Sequence, residues 1–283
     1  MISSGEGTGM SAPLKLHWRP ELENSSLVVA WSVDVSRVGA RVTDYLITRL
    51  RGKSFCEIEP VDFFPMRGVI IEDDLVQFPE SKFYVFPEKK LVILKSAQPS
   101  FEWYRFLSLV IDVGEQYCGV KELFNIGSMV SFIAHTAPRY LMAICNSLEL
   151  KDNLVASSLT SDLYYETPAD QRPTISAFLL WVAKERNIPG ANIMVPVPFY
   201  LATLEDLKAQ KRVLDFLNYR FSLGCDFSDL DEQIAKQNSM IAGIRDSVPE
   251  VDVAINKLES NLRLSEDEIQ RLIREMDKLF GKD

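Results

Sequence analysis

Short apolar runs alternate with helical stripes along most of this chain. Residues 26–31, SLVVAW, form a compact apolar run with β-branched members, which predicts a buried strand. Val38, Val42, Tyr45, Leu46 and Leu50 then recur at helical spacing. KFYVF (82–86) and LVILKS (91–96) read as two strands joined by the hairpin-like link Pro87-Glu-Lys-Lys90. Ser100 is placed to cap the next helix, with Glu102 in its first turn, and the stripe Phe106, Leu109, Val110, Val113 runs on toward Gly119.

VKELFNIG (120–127) and RYLMAICN (139–146) predict two more strands. Thr174 can cap a helix through Arg186, which the breaker Asn-Ile-Pro-Gly (187–190) ends. ANIMVPVP (191–198) is strand-like, with Pro196 and Pro198 confining it to an edge or to a strand's end. A helix over about 204–219 follows. Strands alternating with helices predict an α/β domain whose mixed, mostly parallel sheet is covered on both faces.

The pattern changes after Phe227. No strand-like run follows, and three helical segments appear. The first carries Leu230, Ile234, Ile241 and Ile244; the second, after Pro249, carries Val251, Ile255, Leu258 and Leu262. The third opens with the capping-box spelling Ser265-Glu-Asp-Glu268 ahead of Ile269, Leu272, Ile273, Met276 and Leu279. Their stripes need a surface, either the chain's own α/β body or another subunit. The expected organisation is a flexible tail over 1–12, an α/β/α domain over 13–228 and a helical C-terminal subdomain over 229–283.

Composition narrows the function classes. A net charge of −9 disfavours a general nucleic-acid binder, which needs a basic face. Phe178–Ala183 is among the longest apolar runs, about a third of a membrane span, so no membrane association is expected. Residues 1–12 lack a secretory pattern. Cys56, Cys118, Cys145 and Cys225 are far apart, without metal-ligand or Cys-x-x-Cys spacing, and read as reduced thiols of a cytoplasmic protein.

The candidate chemistry is thin. His135 lies in His-Thr-Ala-Pro-Arg, where an imidazole could act as a general base, and Ser128 sits seven residues upstream. A Ser–His pair would suit a hydrolase, but Gly-x-Ser-x-Gly is absent and no acid stands out as orienter. The plainer reading has His135 and Thr136 hydrogen-bonding a tight loop closed by Pro138. Arg139 could hold an anion or simply pair with a neighbouring acid. Asp73-Asp74 and Asp229/Asp231-Glu232 read as a turn and a helix start. No metal site is therefore assigned, and without a Gly-x-x-x-x-Gly-Lys loop no cofactor is assigned either.

Three stretches in order carry a resemblance: QPSFEWYRF (98–106), HTAP (135–138), and RPTISAFLLWVAKERNIPGANIMVPVPFY (172–200) leading to the acidic helical tail. Over roughly residues 25–265 the chain resembles the family named for proteasome assembly chaperone 2. The resemblance implies a three-layer α/β/α body, similar to the phosphorylase/nucleoside-hydrolase architecture, with a helical C-terminal appendage. It also implies a homo-oligomer, often a trimer among bacterial members. The chain departs from the family at Gln98-Pro99, where relatives often carry Glu-Pro. At Arg172-Pro-Thr-Ile175 relatives often carry Gly-Pro-Thr-Gly. Proteasome-binding archaeal members end in a hydrophobic-Tyr-any tail, whereas this chain ends Leu279-Phe-Gly-Lys-Asp283, so direct docking on a proteasome ring is not expected. The expected function is a non-enzymatic, assembly-chaperone-like or scaffold protein that self-associates and binds a protein client. The competing expectation is a small-molecule enzyme, a hydrolase or ATP-dependent ligase, using the loops near Ser128 and His135.

Overall fold

The computed structural model describes residues 13–65, 70–72, 74–157, 159–160, 166–167 and 170–281. The tail expected over 1–12, Asp73 of the Asp73-Asp74 pair, and Lys282-Asp283 lie outside them. Eight strands form the main sheet. In chain order they are β1 (Leu14–Leu16), β2 (Ser25–Trp31), β3 (Lys53–Ile58), β6 (Ser81–Phe86), β7 (Leu91–Ser96), β8 (Val120–Ser131), β9 (Met142–Cys145) and β10 (Gly190–Pro198). Strands β4 (Ile70–Glu72) and β5 (Leu75–Gln77) pair separately as a hairpin. Across the main sheet the order is β1-β3-β6-β7-β2-β8-β10-β9. Its centre, β7-β2-β8-β10, is parallel; β6 meets β7, and β9 meets β10, antiparallel.

The helices are α1 (Val38–Arg49), α2 (Trp103–Cys118), α3 (Leu148–Ala156), α4 (Ile175–Glu185), α5 (Leu207–Phe221), α6 (Ser228–Ser247), α7 (Pro249–Glu259) and α8 (Glu266–Leu279). They enclose two apolar cores, one on each face of the sheet. α1, α3 and α5 cover one face, through Val42, Leu46, Leu154, Val213 and Phe216. α2 and α4 cover the other, through Phe106, Val110, Leu179 and Ala183. Every residue of β2 is buried, as a central strand between two helical layers requires. The expected three-layer α/β/α architecture with its mixed, mostly parallel sheet is the one observed.

The C-terminal helices take the surface that the sequence left open between two options. Leu230, Ile241, Val251, Ile255, Leu258, Leu272 and Met276 are buried in the same core as α1 and α5. The stripes are therefore covered by the chain's own body, except at Leu262, which lies past the end of α7 and is exposed. Ser265 and Glu268 make the reciprocal capping box at the start of α8.

Several expectations are corrected. Ser100 does not cap α2, which begins at Trp103 after Glu102 in a left-handed conformation without a side-chain cap. Strand β9 is shorter than expected, because Arg139 turns away from the sheet to a buried carboxylate. β10 lies inside the sheet, and Pro196 and Pro198 stand at the strand's end, the second of the two placements expected for them. Its prolines are tolerated because β9 pairs only with Ala191–Met194, leaving Pro196 and Pro198 beyond its reach. β1, β3, β4, β5 and α3 arise from stretches without a clean period. All four cysteines are free, and burial pushes the Cys118 thiol up to about 12.

Candidate functional site

The chain leaves β2 through α1 toward one half of the sheet. It returns from β7 to β8 through α2 on the opposite face, so the loops after β2 and β8 diverge at the carboxyl ends of two parallel strands. In open α/β sheets that crevice is where side chains gather to do chemistry. Here it collects Asp34, Ser36 and Ser128 and, joined to Ser36 through the Asp206 N–H, the buried group of His135, Arg139, Tyr200 and Asp206.

Asp34 stands where the apolar run of β2 has ended. Its Oδ2 accepts from the Ser128 hydroxyl at 2.8 Å and from the Gly39 N–H at 3.1 Å. Gly39 is favoured there: a Cβ would stand 3.1 Å from the Ile126 carbonyl oxygen, so glycine lets the start of α1 come this close to the sheet. The other carboxylate oxygen, Oδ1, is buried without a hydrogen-bond partner. Burial raises the Asp34 pKa above the ordinary value, against the two donors and the nearby Arg37 charge that favour the ionised form.

Ser36 and Arg37 follow, both with positive φ, 57° and 52°. Left-handed backbone costs a non-glycine residue about 1–2 kcal/mol. Hydrogen bonds hold the turn: Ser36 N–H donates to Ala202 O at 2.8 Å, Ser36 Oγ to Leu204 O at 2.5 Å, and Asp206 N–H to Ser36 Oγ at 2.8 Å. The strain is thus locked to the segment that precedes α5.

Ser128 lies on strand β8, not on a loop. Its hydroxyl is directed at Asp34 and at Val35 O (2.6 Å), and no hydrogen bond joins it to His135. His135 is 5% exposed. Its backbone N–H donates to the Tyr200 hydroxyl at 2.5 Å, and its Nδ1 lies 3.0 Å from the same oxygen. Burial, followed by the charges of Lys208 and Arg245, lowers its pKa to about 4. A neutral ring lets Nδ1 accept the proton of the Tyr200 hydroxyl.

Arg139 pairs with an acid. Its Nε donates to Asp206 Oδ2 at 3.1 Å, Nη2 is 3.0 Å from that oxygen, and Nη1 donates to Ala137 O at 2.7 Å. Asp206 also caps α5, accepting from Ala209 N–H at 3.0 Å through Oδ1. Lys208 Nζ donates to His135 O at 2.8 Å and Thr136 Oγ1 to Glu259 at 2.8 Å, and Glu259 is paired in turn with Arg245 of α6. The His-Thr-Ala-Pro-Arg segment is a clamp that ties the sheet to α5, α6 and α7.

The three candidates therefore fall into two separate arrangements, Ser128 with Asp34 and His135/Arg139 with Tyr200 and Asp206. Sequence reasoning missed Asp34, Tyr200 and Asp206. A carboxylate just past a buried parallel strand was a usable signal for Asp34, as was the N-cap position for Asp206. Nothing marked Tyr200. Among the described residues no group of His, Cys, Asp and Glu could hold a metal ion, and no helix is long and apolar enough to cross a membrane.

The depressed His135 pKa makes stability depend on pH. The unfolded imidazole binds its proton near pH 6.5 and the folded one only near 4, so protonation favours unfolding as pH falls through that window. The expected loss between pH 7 and pH 4 is about 3 kcal/mol. Urea unfolding at both pH values should show this loss in the wild type and a shallower dependence in His135→Asn. Equal slopes would show that His135 titrates normally.

The PAC2 family model matches residues 28–244, well over half of the chain. No curated protein matches it in sequence. Among solved structures, it is similar to a Mycobacterium tuberculosis protein of unknown function (TM-score 0.75, 18% identity, 92% of this chain and 91% of that one). It is also similar to a Corynebacterium glutamicum protein of unknown function (0.73, 17%, 88% and 96%). A third match is Pyrococcus furiosus PbaB, an archaeal proteasome activator (0.67, 18%, 82% and 98%). At these identities the likeness shows a shared fold.

Proposed function

The chain belongs to the PAC2 family, and from that premise we propose that it is an assembly-chaperone-like or scaffold protein that associates with copies of itself, as a trimer, and presents a surface to a protein client. The observation that carries the reading is an aromatic face on the outer side of α2 and α4. Phe178 and Trp181 stack with centroids 5.1 Å apart and planes 5° from parallel, and Tyr104 lies 5.9 Å from Trp181. Tyr104 is 58% exposed, Trp181 46% and nearby Phe101 54%. Large rings held open to water in one cluster are uncommon on monomers and are enriched at the centres of interfaces. We assign this face to self-association. That Pyrococcus furiosus PbaB is a proteasome activator supports a protein client over a small-molecule substrate, as does the separation of Ser128 from His135.

Light scattering after size exclusion tests the assignment. The wild type is expected at about three times its 32.2 kDa chain mass, and the Tyr104→Glu/Trp181→Glu variant at the mass of one chain with a cooperative melt, lowered only by the lost association. Both positions are exposed, so the substitutions leave the core intact. A wild-type monomer would sink self-association. A trimer that survives both charges would move the interface elsewhere.

A further inference from the structure

Beside the Asp34 turn a cleft of about 710 Å³ opens between the α/β body and the C-terminal helices. The turn after β2 and α1 supplies Asp34, Arg37 and Arg41, the segment before α5 supplies Glu205, and α6 supplies Lys236. The volume suits a small molecule, and the place is the carboxyl end of the parallel strands, where the sheet's crossovers diverge.

The cleft's charges are unevenly committed. Arg41 pairs with Glu205 at 3.0 Å, and Glu205 also accepts from Gln210 at 3.0 Å. Arg37 and Lys236, by contrast, make no side-chain hydrogen bond or ion pair among the described residues. Arg37 is held in left-handed backbone by the hydrogen bonds around Ser36, a strained conformation of the kind that gathers at ligand sites. On the same wall Asp34 keeps one carboxylate oxygen buried without a partner, and a ligand hydroxyl meets it when the Asp34 side chain turns toward the cleft. Two cations without a hydrogen-bonded acid, and a third lining the same cleft, suit a dianion such as a phosphate monoester. An unpartnered carboxylate oxygen repels an anion and accepts from a hydroxyl. A ligand that satisfies both walls carries its charge at one end and a neutral donor at the other.

We propose that this cleft binds a small phosphorylated polyol, its phosphate on Arg37 and Lys236 with Arg41 as third cation, and a hydroxyl donating to Asp34. Because α6 supplies Lys236, the bound molecule bridges the body and the C-terminal helices and favours their docked arrangement.

The test is calorimetric titration of the full-length protein with glycerol 3-phosphate, inorganic phosphate and glycerol. Glycerol 3-phosphate is expected to bind saturably, at least about tenfold more tightly than inorganic phosphate, with glycerol silent; tenfold corresponds to about 1.4 kcal/mol. Arg37→Ala/Lys236→Ala should weaken both phosphates at least about tenfold without lowering the melting temperature, since neither side chain holds the fold. Asp34→Asn should narrow the gap between glycerol 3-phosphate and inorganic phosphate, with inorganic phosphate binding no more weakly than before because the repelling carboxylate has gone. No saturable heat from either phosphate at about 10 mM, or binding unchanged in the double variant, would overturn the proposal. Equal affinity for the two phosphates would overturn the role of Asp34.

Discussion

Asp206→Ala is expected to cost about 3–5 kcal/mol of stability, because it leaves the Arg139 guanidinium buried without its counter-charge. Both side chains are 1% exposed, so water cannot replace the lost partner. The same substitution removes the N-cap of α5, worth about 1 kcal/mol. It also loosens the clamp segment, since Arg139 Nη1 holds the Ala137 carbonyl within it. Arg139→Met/Asp206→Ser is the informative companion. It removes both buried charges, fills the arginine's space with an apolar chain and keeps an oxygen that can cap the helix. The double variant is expected to be more stable than Asp206→Ala alone, since a buried pair is costly to break and cheaper to replace whole. Urea midpoints for the three proteins decide it. A loss below about 1 kcal/mol in Asp206→Ala would mean that water reaches the guanidinium.

Truncation after Phe227 is expected to abolish cooperative folding. The cut removes the buried aliphatic side chains of α6, α7 and α8 and bares their partners on α1 and α5. Each buried aliphatic side chain contributes roughly 1.5–3 kcal/mol, so losing even half of them matches or exceeds the stability of an ordinary domain. Tyr45 would lose its hydrogen bond to Asp229, and the 135–139 clamp its anchor on Glu259. The measurement is thermal melting of the truncated chain with light scattering. Aggregation or a featureless melt is expected; a soluble fragment with a sharp transition would show that residues 13–227 fold unaided.

The pattern of apolar positions was enough for the sheet-and-helix alternation, because a period of two or of 3.6 reflects which face is dry and needs no knowledge of the neighbour. β2, β6, β7, α1, α4 and the three C-terminal helices were legible for that reason. So was the Ser265 capping box, whose two partners are three residues apart. The family was legible from the order of three short stretches, and the family match bears that out.

What pairs across long separations was not legible. Ser128 meets Asp34, 94 residues away, and Arg139 meets Asp206, 67 residues away. Which of several acids an arginine finds depends on strand order and helix placement, and neither leaves a local trace. His135 shows the same division. Its loop was readable from Thr136, Ala137 and Pro138, but its neutral state comes from burial under the helices packed over it and from the charges of Lys208 and Arg245. The surface that covers the C-terminal stripes was equally undecided in the sequence, since an amphipathic helix records that it is half buried but not against what. Only the folded chain settled that, by bringing the stripes and the α1–α5 face within one core, where burial removes both from water at once.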